Sequence, residues 1–505
     1  MAQEQIFSMT EFHGLGDPFR FGIDSTVTRT MENISPRYGR LLPRDGYTLL
    51  GLVQTGDIIG LFEYQLHNLN SHLVRVDTDD FFIWDPVTVA WVSKKGAVTM
   101  GQDASTDFAD FAVYNNFCYV ITPNEKLLKF DGDGVGANIV QNANSPAASV
   151  IEAFEGFLFL GNVDSDNTGV NKDGNRLRYE STNVDGTWDT LKTIVINQTP
   201  GMILRLKTFG RVLFVYKNDG VVAVRFIGGT TVFQIDNLNS GVGILAPLSI
   251  GNVPGLGQIF LATDRRLYLN SGQIQQLKAI VNNTIAEDFN VAWLSNAVAS
   301  VDVSNNIYHL FYASGSNQFL NKRLDFNYVT GEFNIHDYPT GQFTRAAYAN
   351  IENQSANKTL KELVAAQTDK KTYRVDIGTT DNSAVIDSNW NSDWQDFGFP
   401  GEKYLSRVDV TLKEDPRSVI EIATRADFER EYQQSREYGI SSMKTDGDIT
   451  VSHRIRPTLG KWHDLRLRFR PASTPSNIEL KRIDWFYTSV RQGGQRDTPA
   501  NIIGQ

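Results

Sequence analysis

The sequence predicts an all-β protein, in which a divergent β-propeller of about seven blades is followed by a C-terminal antiparallel β-sandwich. Three observations support this fold class. A strand–turn–strand unit recurs along the chain, the turns are short and polar, and helical periodicity is confined to short pieces such as residues 284–289. The predicted domains are an extended N-terminal arm (1–47) that packs on the sandwich platform or closes the propeller, the propeller (48–380), the sandwich (381–491) and a flexible tail (492–505).

Each repeated unit consists of an apolar strand, a polar turn and a strand in which apolar and polar residues alternate. Residues 117–132 (FCYVITPNEKLLKFDG) and 212–228 (VLFVYKNDGVVAVRFIG) contain all three parts. The alternation is typical of a half-buried strand, and the turns suit tight hairpins. The units begin near residues 58, 117, 157, 212, 259, 307 and 363, at intervals of 40 to 59 residues. This spacing fits one blade per unit and predicts about seven blades, with six or eight left open.

The pattern changes after Asn382, where a Trp-rich stretch is followed by alternating strands. In LRLRFR (465–470), Leu465, Leu467 and Phe469 fall on one face of the strand and the arginines on the other. This region therefore predicts a sandwich of about seven strands. The first 47 residues are too few for a domain and are punctuated by proline and glycine, which favours an extended arm.

Charge and composition limit the possible functions. Hydrophobic residues make up 41% and charged residues 21% of the chain, which is ordinary for a globular protein. The formal net charge is −10, although residues 401–491 contain 17 Lys and Arg against 14 Asp and Glu. An acidic surface disfavours general binding of nucleic acid, because phosphate contacts need basic side chains. It leaves open that nucleic acid passes nearby without binding.

Three features of the sequence indicate the cellular compartment in which the protein folds. It has no apolar run of about 18 residues, and its first residues lack the basic and apolar regions of a signal peptide. The single cysteine, Cys118, lies in the apolar strand FCYVI and is predicted to be a buried structural thiol. We therefore expect the protein to fold in a reducing cytoplasm.

Residues 181–188 (STNVDGTW) are close to the Asp-box hairpin of sialidase propellers, which reads Ser-x-Asp-x-Gly-x-Thr-Trp. One interpretation is sialidase-like catalysis. The other is a blade hairpin whose side chains fold back on their own turn, with the tryptophan packed between blade sheets. We favour the structural interpretation, because the motif stabilises a turn even in sialidases and occurs once here. The residues predicted to form this hairpin are Ser181, Asp185, Gly186 and Trp188.

Catalytic and metal signatures are weak. A pair of carboxylates for glycoside hydrolysis could come from distant blades. The candidate acids are Asp77, Asp79, Asp80, Asp264 and Asp325. The seven histidines show no metal-ligand spacing, and residues 164–175 begin like a calcium loop but end in Asn175, where a bidentate Glu belongs. We therefore predict no catalytic residue, no metal and no cofactor.

A basic cluster in the sandwich region has two interpretations. It consists of Arg454, Arg456, Lys461, Arg466, Arg468 and Arg470. A solvated face of a strand is the usual explanation. The alternative is a contact surface for an acidic partner subunit or for the DNA backbone.

The order of the parts resembles the tail hub, or nozzle, proteins of short-tailed bacteriophages, the packaged-DNA stabilisation and tail tubular B group. The resemblance is carried by NISPRYGRLLPRDGY (33–47), by the blade hairpins, and by residues 454–487 with their Lys/Arg-x-Gly and Arg-hydrophobic-Arg strands. It extends over nearly the whole chain through motifs that are individually weak.

The resemblance implies a structural virion protein. In that group, a hexameric ring below the portal-adaptor ring retains packaged double-stranded DNA and conducts it during ejection without sequence-specific binding. Tail fibres or tailspikes attach to the outer side of this ring, which connects the portal-adaptor ring to the distal tail parts. The implied partners are tail fibres, tailspikes or a needle. The insertion at 163–175 is a candidate for closing the channel. Two other functions remain open: a phage-borne propeller that hydrolyses or lyses polysaccharide, and a receptor-binding propeller.

Overall fold

The computed structural model describes residues 4–15, 28–37, 39–66, 71–100, 108–122, 126–132, 138–164, 172–229, 232–351, 361–399, 401–413, 418–427, 429, 431–439, 448–471 and 479–490. Two compact units are present. The propeller unit is Asp45–Asn382, and the sandwich unit combines Met1–Arg44 with Ser383–Gln505. The predicted tail at 492–505 lies outside the described residues, and the predicted propeller bounds were 48 and 380.

The N-terminal segment contributes five strands. They are β1 (Gln5–Met9), β2 (Thr28–Glu32), β3 (Ile34–Arg37), β4 (Arg40–Pro43) and β5 (Tyr47–Leu50). The first four belong to the sandwich unit, and β5 belongs to the propeller unit.

Six antiparallel blades of four consecutive strands follow in chain order, of which blades 1 to 5 are separate four-stranded sheets. Blade 1 is β6 (Ile58–Gln65), β7 (Ser71–Asp77), β8 (Phe81–Asp85) and β9 (Ala90–Ser93). Blade 2 is β10 (Asp110–Tyr114), β11 (Phe117–Ile121), β12 (Leu128–Phe130) and β13 (Val140–Gln141). Blade 3 is β14 (Val150–Phe154), β15 (Phe157–Asp164), β16 (Lys172–Glu180) and β17 (Thr193–Val195). Blade 4 is β18 (Ile203–Phe209), β19 (Val212–Lys217), β20 (Gly220–Phe226) and β21 (Phe233–Ser240). Blade 5 is β22 (Gly251–Val253), β23 (Gly257–Leu261), β24 (Leu267–Asn270) and β25 (Ile274–Gln276). Blade 6 is β26 (Val298–Asp302), β27 (Ile307–Tyr312), β28 (Lys322–Asn327) and β29 (Phe333–Asp337). The helix α1 (Ala279–Asp288) connects blades 5 and 6.

Blade 7 closes the ring with strands from both ends of the unit. It consists of β30 (Phe343–Ala349), β31 (Glu362–Gln367), β32 (Thr372–Val375) and β5, with β33 (Thr380–Asp381) beside β5. The next strand in the chain, β34 (Ala384–Val385), lies in the residue range of the sandwich unit. β5 pairs antiparallel with β32, with Tyr47 opposite Val375. Blade 1 and blade 7 share a core that includes Leu50 and Val364. The predicted all-β propeller of about seven blades is therefore confirmed.

The repeated units detected in the sequence start one strand late in most blades. The units beginning at 117, 157, 212 and 307 correspond to the second strands β11, β15, β19 and β27. The first strands face the propeller axis, where those of neighbouring blades contact one another. The strand Val298–Asp302 alternates between buried and half-buried residues.

The sandwich unit consists of two antiparallel sheets. Its C-terminal strands are β35 (Ser388–Ser392), β36 (Lys403–Lys413), β37 (Ser418–Ala426), β38 (Gln433–Gly439), β39 (Asp448–Gly460), β40 (His463–Pro471) and β41 (Glu479–Ser489). One sheet has the order β3-β4-β41-β36-β39, with β1 also pairing β41, and the strands that this unit contributes to the other have the order β2-β35-β40-β37-β38. Leu465, Leu467 and Phe469 point into the shared core, opposite residues such as Val408 and Trp485. The predicted orientation of LRLRFR is therefore correct.

Within the described residues, no helix is both long enough and apolar enough to cross a membrane.

Candidate functional site

The meander of each blade places alternate turns at the same end of the propeller. We call the end at which the first strands begin the upper face, and the opposite end the lower face. Turns between the second and third strands also lie on the upper face, because antiparallel strands reverse direction at each turn. The turns KNDG (217–220) and QTDKK (367–371) are of this kind. The loops between third and fourth strands lie on the lower face.

The Asp-box-like hairpin lies on the lower face, between blades 2 and 3. Trp188 is 2% exposed and packs against Tyr119 of blade 2 and Leu158 of blade 3. Its Nε1 donates to the Val184 carbonyl at 3.0 Å. A Cβ on Gly186 would lie 2.2 Å from Asn183 Oδ1, so a larger residue there would displace the Asn183 side chain, whose amide donates to the Thr187 carbonyl at 2.9 Å.

Asp185 links the hairpin to the neighbouring blade. Its Oδ1 accepts a hydrogen bond from the Tyr119 hydroxyl at 3.0 Å, and its Oδ2 lies 2.6 Å from Lys129 Nζ. Ser181 contributes its backbone carbonyl, which accepts from the Tyr114 hydroxyl at 2.8 Å. These contacts join the hairpin of blade 3 to blade 2.

The candidate acid Asp77 is buried in blade 1 and paired with an arginine. Arg75 donates to both carboxylate oxygens, at 2.7 and 2.6 Å, and both side chains are fully buried. Burial raises the pKa of Asp77 to about 6, against the opposing effect of Arg75. Arg75 also donates to the Lys370 carbonyl at 3.0 Å, which ties blade 1 to blade 7.

Asp325 is the centre of a second buried network, in blade 6. Arg323 Nε, His309 Nδ1 and His336 Nε2 lie 2.7, 2.5 and 3.0 Å from its oxygens. Burial alone raises the pKa of Asp325, but the guanidinium and the two histidines outweigh it and hold the pKa well below its usual range. His309 Nε2 also lies 3.0 Å from the hydroxyl of Tyr348 in blade 7, so this network too joins two blades.

The remaining candidate acids lie in turns of the upper face, where they accept hydrogen bonds from nearby residues. Asp79 accepts from the Thr55 hydroxyl at 2.9 Å, Asp80 from the backbone N–H of Phe81 at 2.7 Å, and Asp264 from the Tyr268 hydroxyl at 2.7 Å. No group of three or more metal-binding side chains occurs among the described residues. Most of the calcium-like loop and of the insertion, residues 165–171, lies outside them. Cys118 is buried in blade 2, and burial raises the pKa of its thiol.

The basic cluster is divided between the two sheets of the sandwich unit. Arg466 and Arg468 of β40 lie half-buried, 2.8 Å from Glu421 and 2.8 Å from Asp387. Arg470 also lies in β40, opposite Val419. Arg454 and Arg456 are exposed on the outer face of β39, and Lys461 is exposed just after it. The sequence predicted one surface, whereas the structure places Arg466, Arg468 and Arg470 on β40 and the other three residues on β39 or directly after it.

Within the part of the chain that the structure describes, strand β39 is the last strand of its sheet. It has 13 residues, alternates regularly between exposed and buried positions, and pairs on one side with β36. Neither Arg454 nor Lys461 has an acidic partner among the described residues. A long edge strand offers unpaired backbone groups and is a frequent site of association with another chain.

The net charge belongs entirely to the propeller unit. Residues 45–382 contain 25 Lys and Arg against 35 Asp and Glu, a net charge of −10. The sandwich unit contains 23 of each sign. The basic excess of residues 401–491 is balanced by acids at 383–400, so the exposed arginines of β39 are a local feature of a neutral unit.

A cleft of about 410 Å³ opens on the upper face, where blades 6, 7 and 1 meet. The start of β6, the start of β30 and the turns after β27 and β31 form its walls. It is lined by Asp57, Ile58, Trp293, Asn296, Gln318, Phe319, Leu320, Phe343, Thr344, Arg345, Gln367 and Thr368. This cleft was not predicted from the sequence, because its walls come from three blades and from turns without a shared motif.

No family model matches the chain, and no curated protein sequence matches it significantly. Among solved structures, the WD40 domain of Neurospora crassa Pan2 matches with a TM-score of 0.40 and 8% identity, over 70% of this chain and 96% of that one. The extracellular domain of a hybrid two-component system from B. thetaiotaomicron matches with a TM-score of 0.39 and 11% identity. That match covers 72% of this chain and 43% of the other. The propeller assignment itself rests on the strand pairing described above.

Proposed function

We propose that this chain is a structural subunit of a short bacteriophage tail, a hub or nozzle protein whose copies form a ring-shaped channel. The channel retains packaged double-stranded DNA and conducts it during ejection. The order of arm, propeller and sandwich, which the phage group shares, supports this proposal. The observation that carries it is the exposed basic edge strand β39, on a chain whose propeller unit holds a net charge of −10.

Charge complementarity suggests how the copies associate. The exposed Arg454, Arg456 and Lys461 of one copy would face the acidic propeller surface of the next. Such a head-to-tail contact joins two different patches, and it closes into a ring when the rotation between copies allows it. The hexameric number comes from the resemblance to the phage group.

The same charges suit a channel that DNA must cross quickly. An acidic wall repels phosphates, so a duplex gains no counterion-release energy by binding it and slides past. In this proposal the ring lies between the portal-adaptor ring and the distal tail parts, within the virion, and performs no chemical turnover.

A charge-reversal experiment tests the proposed contact. The variant R454E/K461E should lose or strongly weaken ring assembly on the portal-adaptor ring, measured by analytical ultracentrifugation. The control R211E/K278E reverses one exposed Arg and one exposed Lys on the propeller unit and should assemble like the wild type. Undiminished assembly of R454E/K461E, or equal loss in the control, would reject β39 as the contact.

A further inference from the structure

The hairpin tip between the third and fourth strands of blade 1 exposes two valines. The tip is formed by residues 85–90, in which Val87 is 88% and Val89 62% exposed. Asp85 fixes the turn, because its carboxylate accepts from the Val87 N–H at 2.9 Å and from the Thr88 hydroxyl at 2.7 Å. The turn therefore holds two aliphatic side chains in solvent on the lower face.

Val89 adopts a backbone conformation that is unfavourable for valine. Its φ is 55°, in the left-handed region that favours glycine and asparagine. Among the residues that the structure describes, it is the only β-branched residue in this region. A valine at this position weakens the fold and gains little burial within it, which indicates that its side chain makes a contact outside its own chain.

A second exposed apolar surface lies on the outer face of the sheet that contains β39. Tyr404 of β36 lies opposite Leu459 of β39, and their side chains are 41% and 42% exposed. In the adjacent row of the same face, Phe486 lies opposite Arg407, and Arg407 lies opposite Arg454. The Arg407 guanidinium lies 3.7 Å from the centre of the Phe486 ring. We call Tyr404, Leu459 and Arg454 the outer patch.

The charge of the outer patch suits an acidic partner. Arg407 is paired with Asp409 at 3.2 Å, whereas Arg454 has no acidic partner among the described residues. Two arginines directly opposite each other in a sheet repel, and a carboxylate nearby relieves that repulsion. The blade 1 tip brings Asp85 together with its two valines, in a propeller unit of net charge −10. Tip and outer patch therefore match in apolar character and in charge.

We propose that the blade 1 tip of one copy packs on the outer patch of the next, with the two valines against Tyr404 and Leu459. This contact rests on the proposed hub function and names the two surfaces that form its head-to-tail contact. Protein interfaces commonly have an apolar centre within a charged rim, and aromatic side chains at the centre supply much of the affinity. Arg454 belongs to the rim, where it steers association.

Ring assembly of the full chain on the portal-adaptor ring, measured by analytical ultracentrifugation, tests the contact. Val89→Asn should weaken assembly by about tenfold or more while it raises the urea midpoint of the unassembled chain, because asparagine suits the left-handed backbone. A residue with only a structural role would change both quantities in the same direction. Y404A/L459A should weaken assembly by about tenfold or more, with little change in the urea midpoint.

Two controls and a combined variant show whether the two surfaces touch. Val329→Asn on the propeller unit and Val385→Ala on the sandwich unit change valines that are also exposed, and both should assemble like the wild type. Residues in contact are energetically coupled. The variant V89N/Y404A/L459A should therefore lose less affinity than the product of the two separate losses.

The possible failures of the contact and of the hub differ. Undiminished assembly of Val89→Asn or of Y404A/L459A, or losses that multiply in full in the combined variant, would overturn the contact and leave the hub intact. A lowered urea midpoint for Val89→Asn would also overturn it, because the valine would then serve the fold. Absence of rings with the wild type would reject the hub, and this contact with it.

Discussion

At the scale of the residue, buried charged side chains show best which contacts the sequence predicts and which it does not. Asp77 and Asp325 were candidate acids in the sequence, and each is paired with an arginine two positions away on its own strand. Arg75, which pairs with Asp77, also donates to the Lys370 carbonyl, and His309, which contacts Asp325, lies 3.0 Å from the Tyr348 hydroxyl; both of these outer partners belong to blade 7. Alternation along a strand predicts which side chains point inward. It does not predict which distant residue forms a hydrogen bond or ion pair with each of them, because that depends on packing between blades.

The Asp-box-like hairpin should contribute to stability. We expect Trp188→Ala to lower the free energy of unfolding by about 3–5 kcal/mol, because it removes a buried indole from the core between two blades. Asp185→Ala should lower it by about 1 kcal/mol, since its partner Lys129 is partly solvated. Urea unfolding measures both. Leu191→Ala, on the same loop but 88% exposed, is the control and should change stability by less than about 0.5 kcal/mol.

His463 should make the sandwich unit sensitive to acid. The residue is fully buried against Phe397, and burial, with Lys403 nearby, lowers the pKa of His463 to about 4. The folded chain then holds the imidazole neutral, whereas the unfolded chain protonates it below its ordinary pKa of 6.5. Stability from this residue is therefore complete above pH 6.5 and is lost as the pH falls towards 4, by about 3 kcal/mol.

Comparison with His463→Phe isolates this effect. Asp77, whose raised pKa acts in the opposite direction over the same pH range, is common to both proteins and cancels. The unfolding free energy of the wild type should fall relative to that of the variant between pH 6.5 and 4, measured by urea titration. Parallel pH profiles would show that His463 is not held neutral.

At the scale of the element, turn chemistry and alternation predicted the second and third strands of the blades well. The first strands were missed in most blades, because strands facing the propeller axis mix small, polar and apolar residues. Two roles were predicted for the arm (1–47): packing on the sandwich or closing the propeller. The strand that closes the propeller, β5 (Tyr47–Leu50), overlaps the arm only at Tyr47. Its pairing with β32 left no local signal, because the paired residues lie more than 300 positions apart. The structure shows that the N-terminal segment contributes to both units.

Ring closure by β5 should determine the stability of the propeller. Tyr47 is 3% exposed and packs on Tyr338, Phe343 and Tyr373. We expect Tyr47→Ala to lower the free energy of unfolding of the propeller unit by about 3–5 kcal/mol. Leu49→Ala, on the same strand but 43% exposed, should have a much smaller effect. Equal effects in denaturant titrations would mean that β5 does not close the ring through its buried face.

At the scale of the whole molecule, composition anticipated an acidic chain with a more basic C-terminal region. When the charges are counted separately for each unit, the propeller unit has a net charge of −10 and the sandwich unit is neutral. The sandwich unit nevertheless has exposed arginines on its edge strand β39. The cleft between three blades had no counterpart in the sequence, because it exists only once the ring has closed. In the proposed hub, the acidic propeller unit of one copy and the basic strand β39 of the next form the contact between subunits.

Negative-stain electron microscopy of the purified chain, alone and mixed with the portal-adaptor ring, tests the hub most directly. Six-fold rings, formed alone or on the adaptor, are the predicted result, and they should be absent with R454E/K461E. Persistent monomers or trimers that never join a tail would contradict the proposal and would favour a propeller that acts on carbohydrate by itself.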